Sequence, residues 1–310
     1  MGESLLIEDS SDISLNYKCL YNNFILLCVK LIYILSSSLI LSMSGRKDVA
    51  LLDETLPFKE FTFVTIFNSK NQYDDHYQSL HEAGFLNEDA NFIYFDNSSG
   101  NLHDPYESFN SALSLVNSHY VLFVHQDTRF KFDRIDRLRL CLNELDKIDP
   151  NWAVAGNAGG NLDLSKKFIR ITDPANEDLK LGPLPQKVHS LDENFLLIKK
   201  SSNVAFSNDL RGFHFYGTDI CQQAFFRGYT SYVIDFHIMH LSSGNKDKKY
   251  YNAKKDFIKS YRRKMNVKFL RMTTGRMVLT GSRFLSIFCN NKHIIYLLRK
   301  TNLYRLLPKF

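Results

Sequence analysis

Cysteine is scarce in this sequence, and the few cysteines are not arranged for structural bonds. Five are scattered over 310 residues, and no two of them form a CxxC pair. This spacing indicates neither a zinc ribbon nor a disulfide framework. A chain without such bonds suits a reducing compartment, so we expect a cytoplasmic protein.

Acidic residues are missing from the last part of the chain. Residues 257–310 contain 13 Lys or Arg and no Asp or Glu, which leaves residues 1–256 acidic although the whole chain carries +6. Bulky apolar residues interleave with the basic ones in this C-terminal extension, as in helices that lie on anionic membranes. We expect peripheral membrane contact on the cytoplasmic face. Packing of the basic extension on the acidic body is the alternative.

An uninterrupted apolar run that could span a membrane is also missing. Phe24–Leu41 comes nearest, but Lys30 lies within it, and a lysine at the centre of a bilayer is costly. Acidic residues in the first twelve positions disagree with a signal peptide. Residues 1–57 are therefore predicted to be an N-terminal appendage. Three interpretations stay open: a weak anchor helix, a packed helix, or an upstream extension before a start at Met43.

The central part of the chain alternates predicted strands with predicted helices. Short β-branched and aromatic runs predict three strands, at Phe61–Phe67, Asn91–Phe95 and Val121–Val124. Apolar residues at helical spacing predict helices at Tyr106–Asn117 and Arg134–Ile148. The alternation predicts an α/β, Rossmann-like domain over residues 58–256, with a mostly parallel sheet flanked by helices.

The second half of this domain continues the pattern less regularly. Short strands are predicted at Trp152–Gly156, Asn194–Ile198 and Tyr232–Ile234, and a helix is predicted through Cys221. Residues 161–187 are polar and hold three of the seven prolines, which predicts a loop. With 44% apolar residues, the chain has enough material for a packed core.

The strand Val121–Val124 ends abruptly in His125, Gln126 and Asp127. In open α/β sheets, ligands bind beyond the carboxyl ends of the strands. His and Asp are both competent ligands for a divalent metal ion. The motif therefore indicates a metal or ligand site, and a solvated turn is the alternative.

Seven segments lie at predicted strand ends or helix starts within roughly residues 61–256. In chain order they read FVTIFNSK, FDNSSG, YESFNSAL, VLFVHQDT, SLDENFLLIKK, FHFYGTDICQQAFFRGY and IDFHIMHLSSG. Taken together they resemble nucleotide-sugar glycosyltransferases of the GT-A fold, in particular the inverting family 2 and its HQD-bearing glycosyltransferase-like relatives. The resemblance does not extend to residues 1–57 or to the C-terminal extension.

The resemblance implies transfer of a sugar from a nucleotide-activated donor to an acceptor hydroxyl, with inversion, in surface glycan assembly. The implied partners are a nucleotide-sugar donor and a glycan or lipid-linked acceptor, with no nucleic acid. The implied nucleotide-binding residues are Asn68, Asp96, Asn97, Asn110 and His125. Turn formation is an alternative role for the DNSSG segment, because Asx–Ser–Ser–Gly is a good turn sequence.

HQD occupies the place of the family's DxD motif, which implies a divalent metal ion, Mn²⁺ or Mg²⁺. Asp127 matches the metal-binding aspartate, whereas His125 replaces the other aspartate, so its role as a ligand stays open. His240 is the expected second metal ligand, with His237 as the reserve. Both histidines could also be ordinary polar residues of a strand end. A bound ion would stabilise the charge on a leaving diphosphate.

Asp219, in the segment YGTDI, matches the catalytic base of the family. An acidic residue in the first turn of a helix is also favoured by the helix dipole, which gives Asp219 a structural alternative. Asp192 and Glu193 are reserve candidates for the base. The acceptor pocket is expected to include Asp192, His214 and Tyr216.

Two other functions compete with this hypothesis. A nucleotidyltransferase acting on a sugar phosphate would need glycines in the loop after the first strand, and FNSKNQYDD has none. A non-enzymatic adaptor could act on membranes or anions through the basic extension, although no nucleic-acid-binding module is recognisable. Incubation with nucleotide sugars and Mn²⁺ distinguishes the two enzymes, because release of a nucleoside diphosphate supports the glycosyltransferase and release of pyrophosphate supports the nucleotidyltransferase.

Overall fold

The computed structural model describes residues 56–242 and 246–302, which belong to one compact unit of the chain. Residues 1–55, almost the whole predicted N-terminal appendage, lie outside the described residues, and their role stays a prediction. Within the described ranges, no helix has both the length and the apolar composition needed to cross a bilayer.

The described residues contain fifteen strands and seven α-helices. The strands are β1 (Lys59–Phe67), β2 (Ala90–Asp96), β3 (Ser118–Val124), β4 (Thr128–Arg129), β5 (Trp152–Gly156), β6 (Ala158–Gly160), β7 (Lys167–Asp173), β8 (Asn176–Leu181), β9 (Gln186–Val188), β10 (Ser190–Leu191), β11 (Phe195–Lys199), β12 (Thr230–Val233), β13 (Ile238–His240), β14 (Lys268–Arg271) and β15 (Arg276–Leu279). The helices are α1 (Lys70–Glu82), α2 (Pro105–Leu115), α3 (Ile135–Ile148), α4 (Tyr216–Phe226), α5 (Lys248–Lys264), α6 (Arg283–Cys289) and α7 (Lys292–Thr301).

The central sheet has seven strands in the order β2-β1-β3-β11-β5-β12-β9. β1 lies parallel to both β2 and β3, and β12 lies parallel to β5. β11 runs antiparallel between β3 and β5, and β9 is an antiparallel edge strand. The predicted α/β class is confirmed. The sheet is more mixed than predicted, because the chain leaves β5 for a second sheet and comes back as the antiparallel strands β9 and β11.

The second sheet has the order β10-β6-β7-β13-β4, with β8 paired to β7. Its strands β7 and β8 lie within residues 161–187, so the loop predicted there is wrong. β8 has the sequence NEDLKL and is exposed at nearly every position. No alternation of apolar and polar residues marks it, and only its pairing with β7 makes it a strand.

Aromatic side chains fill the core between the central sheet and helices α1 and α3. The rings of Phe63, Phe85 and Phe130 meet edge to face, with centroids 4.9–6.0 Å apart. Trp152 is fully buried, and its indole N–H donates to the Asp146 carboxylate at 2.8 Å. Burying such side chains stabilises a fold by roughly 1.5–3 kcal/mol each. This packing holds β1, β3 and β11 rigidly where their polar ends meet.

The helix α5 crosses the boundary that the sequence placed after residue 256. Its last turns pack on the body: Ser260 donates to the Asp209 carboxylate at 2.7 Å, and Lys264 forms an ion pair with it at 3.0 Å. The part of the basic extension that lies in α5 therefore packs on the acidic body, which was the alternative to membrane contact. β14 and β15 form a hairpin beyond it, followed by α6 and α7.

Candidate functional site

Three potential metal ligands meet where β3 ends and β13 ends. β13 pairs antiparallel with the two-residue strand β4, and this register places His240 opposite Thr128. The backbone N–H of Leu241 also donates to the Asp127 carbonyl at 2.9 Å. The pairing brings His240 beside His125 and Asp127, which follow β3 directly.

The side chains of His125, Asp127 and His240 offer one ligand atom each, and these atoms all lie within 4.8 Å of one another. His240 Nε2 is 3.3 Å from Asp127 Oδ1, and His125 Nδ1 is 3.9 Å from the same oxygen. The two imidazole ring centroids are 5.6 Å apart. We call this group the HDH cluster.

The charge states in the HDH cluster suit a cation. Burial opposes ionisation of Asp127, but the hydrogen bond and charge of His240 outweigh it and hold the pKa of this carboxyl below its usual range. Burial, and then the neighbouring His240, lower the pKa of His125. An ionised carboxylate and a neutral imidazole are the forms that bind metals. The donor set therefore fits a divalent ion.

Tyr216, the first residue of α4, fixes the orientation of His125. Its phenol oxygen lies 2.7 Å from His125 Nε2, and the same hydroxyl reaches the Glu193 carbonyl at 3.4 Å. If the hydroxyl proton points to that carbonyl, Nε2–H donates to Tyr216, and the lone pair of Nδ1 faces Asp127. Such an outer hydrogen bond selects the tautomer of a metal-binding histidine.

Gly217 makes the close approach of α4 to the 191–193 segment possible. A Cβ at this position would collide with the carbonyl oxygen of Leu191. The residue before the helix, Phe215, has a positive φ of 67°. This compact turn holds Tyr216 and Glu193 at the edge of the HDH cluster.

An open cleft of about 330 Å³ adjoins this turn. Its lining includes Asp192, Glu193 and His214, together with the glycines of β6 and the ring of Tyr250. Asp192 is exposed, whereas Glu193 is half-buried. Burial, and then the charge of Asp192, raise the pKa of Glu193 to about 8. The structure thus brings the predicted acceptor residues Asp192 and His214 together in one cleft, with Tyr216 behind it.

Asn68 meets the HQD motif at the end of the neighbouring strand β1. Gln126 Nε2 donates to Asn68 Oδ1 at 2.6 Å, and Gln126 Oε1 accepts from the backbone N–H groups of Asn68 and Ser69. The sequence analysis assigned no separate role to Gln126, although its place in the HQD motif was an available signal. This amide joins the loop after β1 to the HDH cluster.

Asp96 and Asn97 build the turn after β2. Asp96 Oδ1 accepts the N–H of Ser98 at 2.7 Å and leaves its half-buried carboxylate partly open. Asn97 is buried, donates to the His103 carbonyl and accepts two backbone N–H groups, from Leu102 and His103. The turn alternative therefore describes Asn97, because its amide oxygen is fully used within the turn and the side chain is buried.

Asn110 lies apart from the HDH cluster, on α2. Its amide donates to the Phe206 carbonyl at 2.9 Å and accepts the Phe206 N–H at 2.8 Å. This pairing mimics a backbone ladder and anchors the segment before α4. The structure gives Asn110 a structural role, and the nucleotide contact stays a prediction.

Asp219 is fully buried and has a structural environment. Its carboxylate accepts from Ser207 N–H at 2.7 Å, from Ser207 Oγ at 2.5 Å and from the Tyr261 hydroxyl at 2.6 Å. A base must reach the proton that it removes. Asp219 has no open side for an acceptor hydroxyl, so the structure does not support it as the catalytic base.

His237, the reserve metal ligand, also lies outside the HDH cluster. Its Nε2 is 2.9 Å from the Thr172 hydroxyl, and its ring stacks on Phe132 with centroids 3.9 Å apart. Successive side chains of a strand point to opposite faces of the sheet. His237 directly precedes β13 and is three positions from His240, so the two histidines lie on opposite faces. Of the two candidates, only His240 reaches Asp127.

Asn194 was missed by the sequence interpretation. Its backbone carbonyl accepts the His125 N–H at 3.1 Å, and its side chain is buried with no hydrogen-bond partner among the described residues. Buried amides are normally paired, so an unpaired one beside a ligand cluster is unusual. Its position in SLDEN, directly before β11, was the available signal.

Comparison with known proteins gives one curated relative and several solved structures. No protein-family model matches the chain. The "ATP synthase subunits region ORF 6" protein of Fuscovulum blasticum is 32% identical over 226 residues, which cover 71% of this chain and 91% of that protein.

Among solved structures, S. aureus TarS is 13% identical with a TM-score of 0.42, and the match covers 63% of this chain but 38% of TarS. The mannosyltransferase PcManGT from Pyrobaculum calidifontis, solved with GDP-Man and Mn²⁺, is 12% identical with a TM-score of 0.44. That match covers 75% of this chain and 71% of PcManGT. The extent and identity of the curated match establish that the chain belongs to the same family as the Fuscovulum blasticum ORF 6 protein.

Proposed function

We propose that the protein is a metal-dependent, inverting glycosyltransferase that uses a nucleotide-activated sugar. The observation that carries this proposal is the HDH cluster at the end of β3, next to a cleft lined by carboxylates. The sequence motifs that resemble family 2 glycosyltransferases fall around the same edge of the sheet. Metal ligands and acidic groups at such an edge suit chemistry on a nucleotide diphosphate.

His125, Asp127 and His240 would hold the divalent ion. When bound, the ion supplies charge stabilisation to the diphosphate that leaves the sugar. Two imidazoles and one carboxylate favour a transition ion such as Mn²⁺ over Mg²⁺, which prefers oxygen ligands. The low pKa of Asp127 keeps this ligand ionised in neutral solution.

The donor would lie along the ends of β1 and β2. Asn68 is fixed there by Gln126, and Asp96 keeps one carboxylate oxygen that accepts no hydrogen bond from the turn. Both groups are suited to base or ribose hydroxyls. Asn97 supports this surface indirectly, because it holds the turn after β2 in place.

Asp192 is the base that we propose for the acceptor hydroxyl. It is exposed in the cleft, beside His214, whereas the raised pKa of Glu193 keeps that neighbour protonated at neutral pH. A general base must be ionised and within reach of the proton. A hydroxyl of a glycan or lipid-linked acceptor would enter through this cleft, in keeping with a role in surface glycan assembly on the cytoplasmic side.

The test is incubation of the full chain with a panel of nucleotide sugars, in Mn²⁺ and separately in Mg²⁺. We expect slow release of a nucleoside diphosphate with one or a few donors, faster with Mn²⁺, and none from the Asp127→Ala variant. Release of pyrophosphate from a sugar phosphate and a nucleoside triphosphate would identify a nucleotidyltransferase. No turnover and no thermal shift with any donor would contradict both enzymatic functions.

A further inference from the structure

The C-terminal module, residues 266–302, exposes an apolar stripe on its helix α6. Phe284, Ile287 and Phe288 are 74%, 69% and 51% exposed. Their spacing of three and four residues puts them on one helical face, and the rings of Phe284 and Phe288 are stacked with centroids 6.0 Å apart. Contiguous exposed apolar side chains of this size mark an interaction surface.

A basic cleft lies in the same module, between the β14–β15 hairpin and α7. Its volume is about 350 Å³. Apolar side chains and three arginines line it, among them Val278, Ile295, Leu298, Arg271, Arg276 and Arg299. Arg271 and Arg276 are directly opposite each other in the hairpin.

We propose that the C-terminal module docks on an anionic phospholipid bilayer. Arg271 and Arg299 of the cleft take the lipid phosphates, and Phe284, Ile287 and Phe288 enter the boundary of the acyl chains. This inference goes beyond the proposed function, because it concerns elements outside the HDH cluster and its cleft. It is independent of the reaction that the cluster performs.

Charge decides between the candidate occupants of this surface. Residues 266–302 contain seven Lys or Arg and no Asp or Glu, so a second copy of the module would be repelled. A soluble anion would satisfy the arginines but would leave the apolar stripe in water. An anionic bilayer satisfies both, since interfacial elements combine basic residues with bulky apolar ones.

The experiment is flotation of the full chain with phosphatidylcholine vesicles, with and without phosphatidylglycerol, at low and high salt. We expect flotation that depends on phosphatidylglycerol and is lost at high salt, because salt screens exposed charges. Inorganic phosphate at the same ionic strength should not displace the protein more than chloride does.

Two variants locate the surface, and each has a matched control. Each arginine near an anionic leaflet contributes about fivefold in partitioning, so Arg271→Gln with Arg299→Gln should weaken binding about 25-fold. Lys131→Gln with Lys147→Gln removes the same charge from exposed sites of the body and should change binding little.

The second variant removes the apolar stripe. Phe284→Ser with Phe288→Ser should weaken binding about tenfold or more, whereas Leu164→Ser, at an exposed site of the body, should not. Both residues are exposed, so the variants should fold like the parent. Flotation equal with and without phosphatidylglycerol, or module variants that float like their controls, would overturn the proposal. Dimerisation in gel filtration that the module variants abolish would assign the surface to a second copy.

Discussion

The hydroxyl of Tyr261 donates a 2.6 Å hydrogen bond to the carboxylate of Asp219, and this contact joins α5 to α4 inside the body. Ser207 donates to the same carboxylate through both its N–H and its hydroxyl. Burial, and then the charge of Asp219, raise the pKa of Tyr261, so it stays a donor. One carboxylate thereby holds three segments of the chain together.

Asp219→Asn should destabilise the protein without removing its chemistry. The amide nitrogen would face hydrogen-bond donors where a carboxylate oxygen now accepts, and a mismatched buried polar group costs about 1–3 kcal/mol. We expect a lower urea midpoint and a kcat per folded molecule close to that of the parent.

Asp256→Asn is the control for this substitution, because Asp256 is exposed on α5. It should leave the urea midpoint unchanged. A fall in kcat of about 10² to 10⁴ in Asp219→Asn, with unchanged stability, would restore Asp219 as the base.

The structural role of Asp219 was not predictable from the sequence. Its partner Tyr261 comes 42 residues later, in a segment whose charge assigned it to a separate extension. The strands β1, β2 and β3 were predictable, because their apolar runs are local signals that survive in the fold. Which polar residues become buried depends on contacts between segments far apart in the chain. A local sequence pattern contains no information about those contacts.

The HDH cluster was predictable in part for the same reason. Asp127 directly follows a strongly apolar strand, so its place at the sheet edge is a local property. Its distance to His240 depends on the pairing of β4 with β13, strands of two and three residues that have no periodicity of their own. The sequence analysis ranked His240 above His237 from its place after the last core strand, and the register supplies the physical reason for that ranking.

Metal binding should depend on His240 and not on His237. His240→Ala removes one of the three ligands. Substituting a residue that only hydrogen-bonds to a ligand typically lowers metal affinity ~10- to 100-fold. The loss of Mn²⁺ affinity in His240→Ala, measured by calorimetry, should be larger than that. The control is His237→Gln, because His237 bonds Thr172 outside the HDH cluster. Equal Mn²⁺ affinity in the parent and His240→Ala would exclude this site.

Tyr216→Phe should weaken metal binding while the ligands remain in place. The substitution removes the hydroxyl that lies 2.7 Å from His125 Nε2, so the ring loses the partner that selects its tautomer. We expect Mn²⁺ affinity to fall about tenfold or more. Tyr250→Phe, in the wall of the cleft, is the control and should bind Mn²⁺ like the parent. An unchanged affinity in Tyr216→Phe would show that the contact only packs α4.

Asp192 and Glu193 should respond differently to amide substitution. Asp192→Asn removes the proposed base, so kcat should fall about 10²- to 10⁴-fold while Mn²⁺ affinity stays the same. With a pKa of about 8, the Glu193 side chain is protonated at neutral pH. Glutamine resembles this protonated acid, so the kcat of Glu193→Gln at pH 7 should stay near that of the parent. A large loss in Glu193→Gln together with an active Asp192→Asn would exchange the two roles.

The stability of the fold should decrease as the pH falls from about 6.5 towards 4, because His76 is buried in its neutral form. Its Nδ1 lies 3.1 Å from the Thr128 carbonyl and donates to it, while Nε2 has no partner among the described residues. Burial lowers the pKa of His76 from 6.5 to about 4. Between these values the unfolded chain binds a proton that the folded chain does not, so acid favours unfolding.

The contribution of His76 is measurable as a difference in slope. The free energy of unfolding should fall by about 1.4 kcal/mol per pH unit from this residue, or about 2 kcal/mol between pH 6.5 and pH 5. In His76→Asn the side-chain amide can still donate to Thr128, but it does not titrate. Urea unfolding of the variant should therefore show a flatter pH dependence, although its stability at pH 7 is lower than that of the parent.

Other titrating groups are common to both proteins and cancel in the comparison. Parallel curves for parent and variant across this range would mean that His76 takes up its proton in the folded state as readily as in the unfolded one.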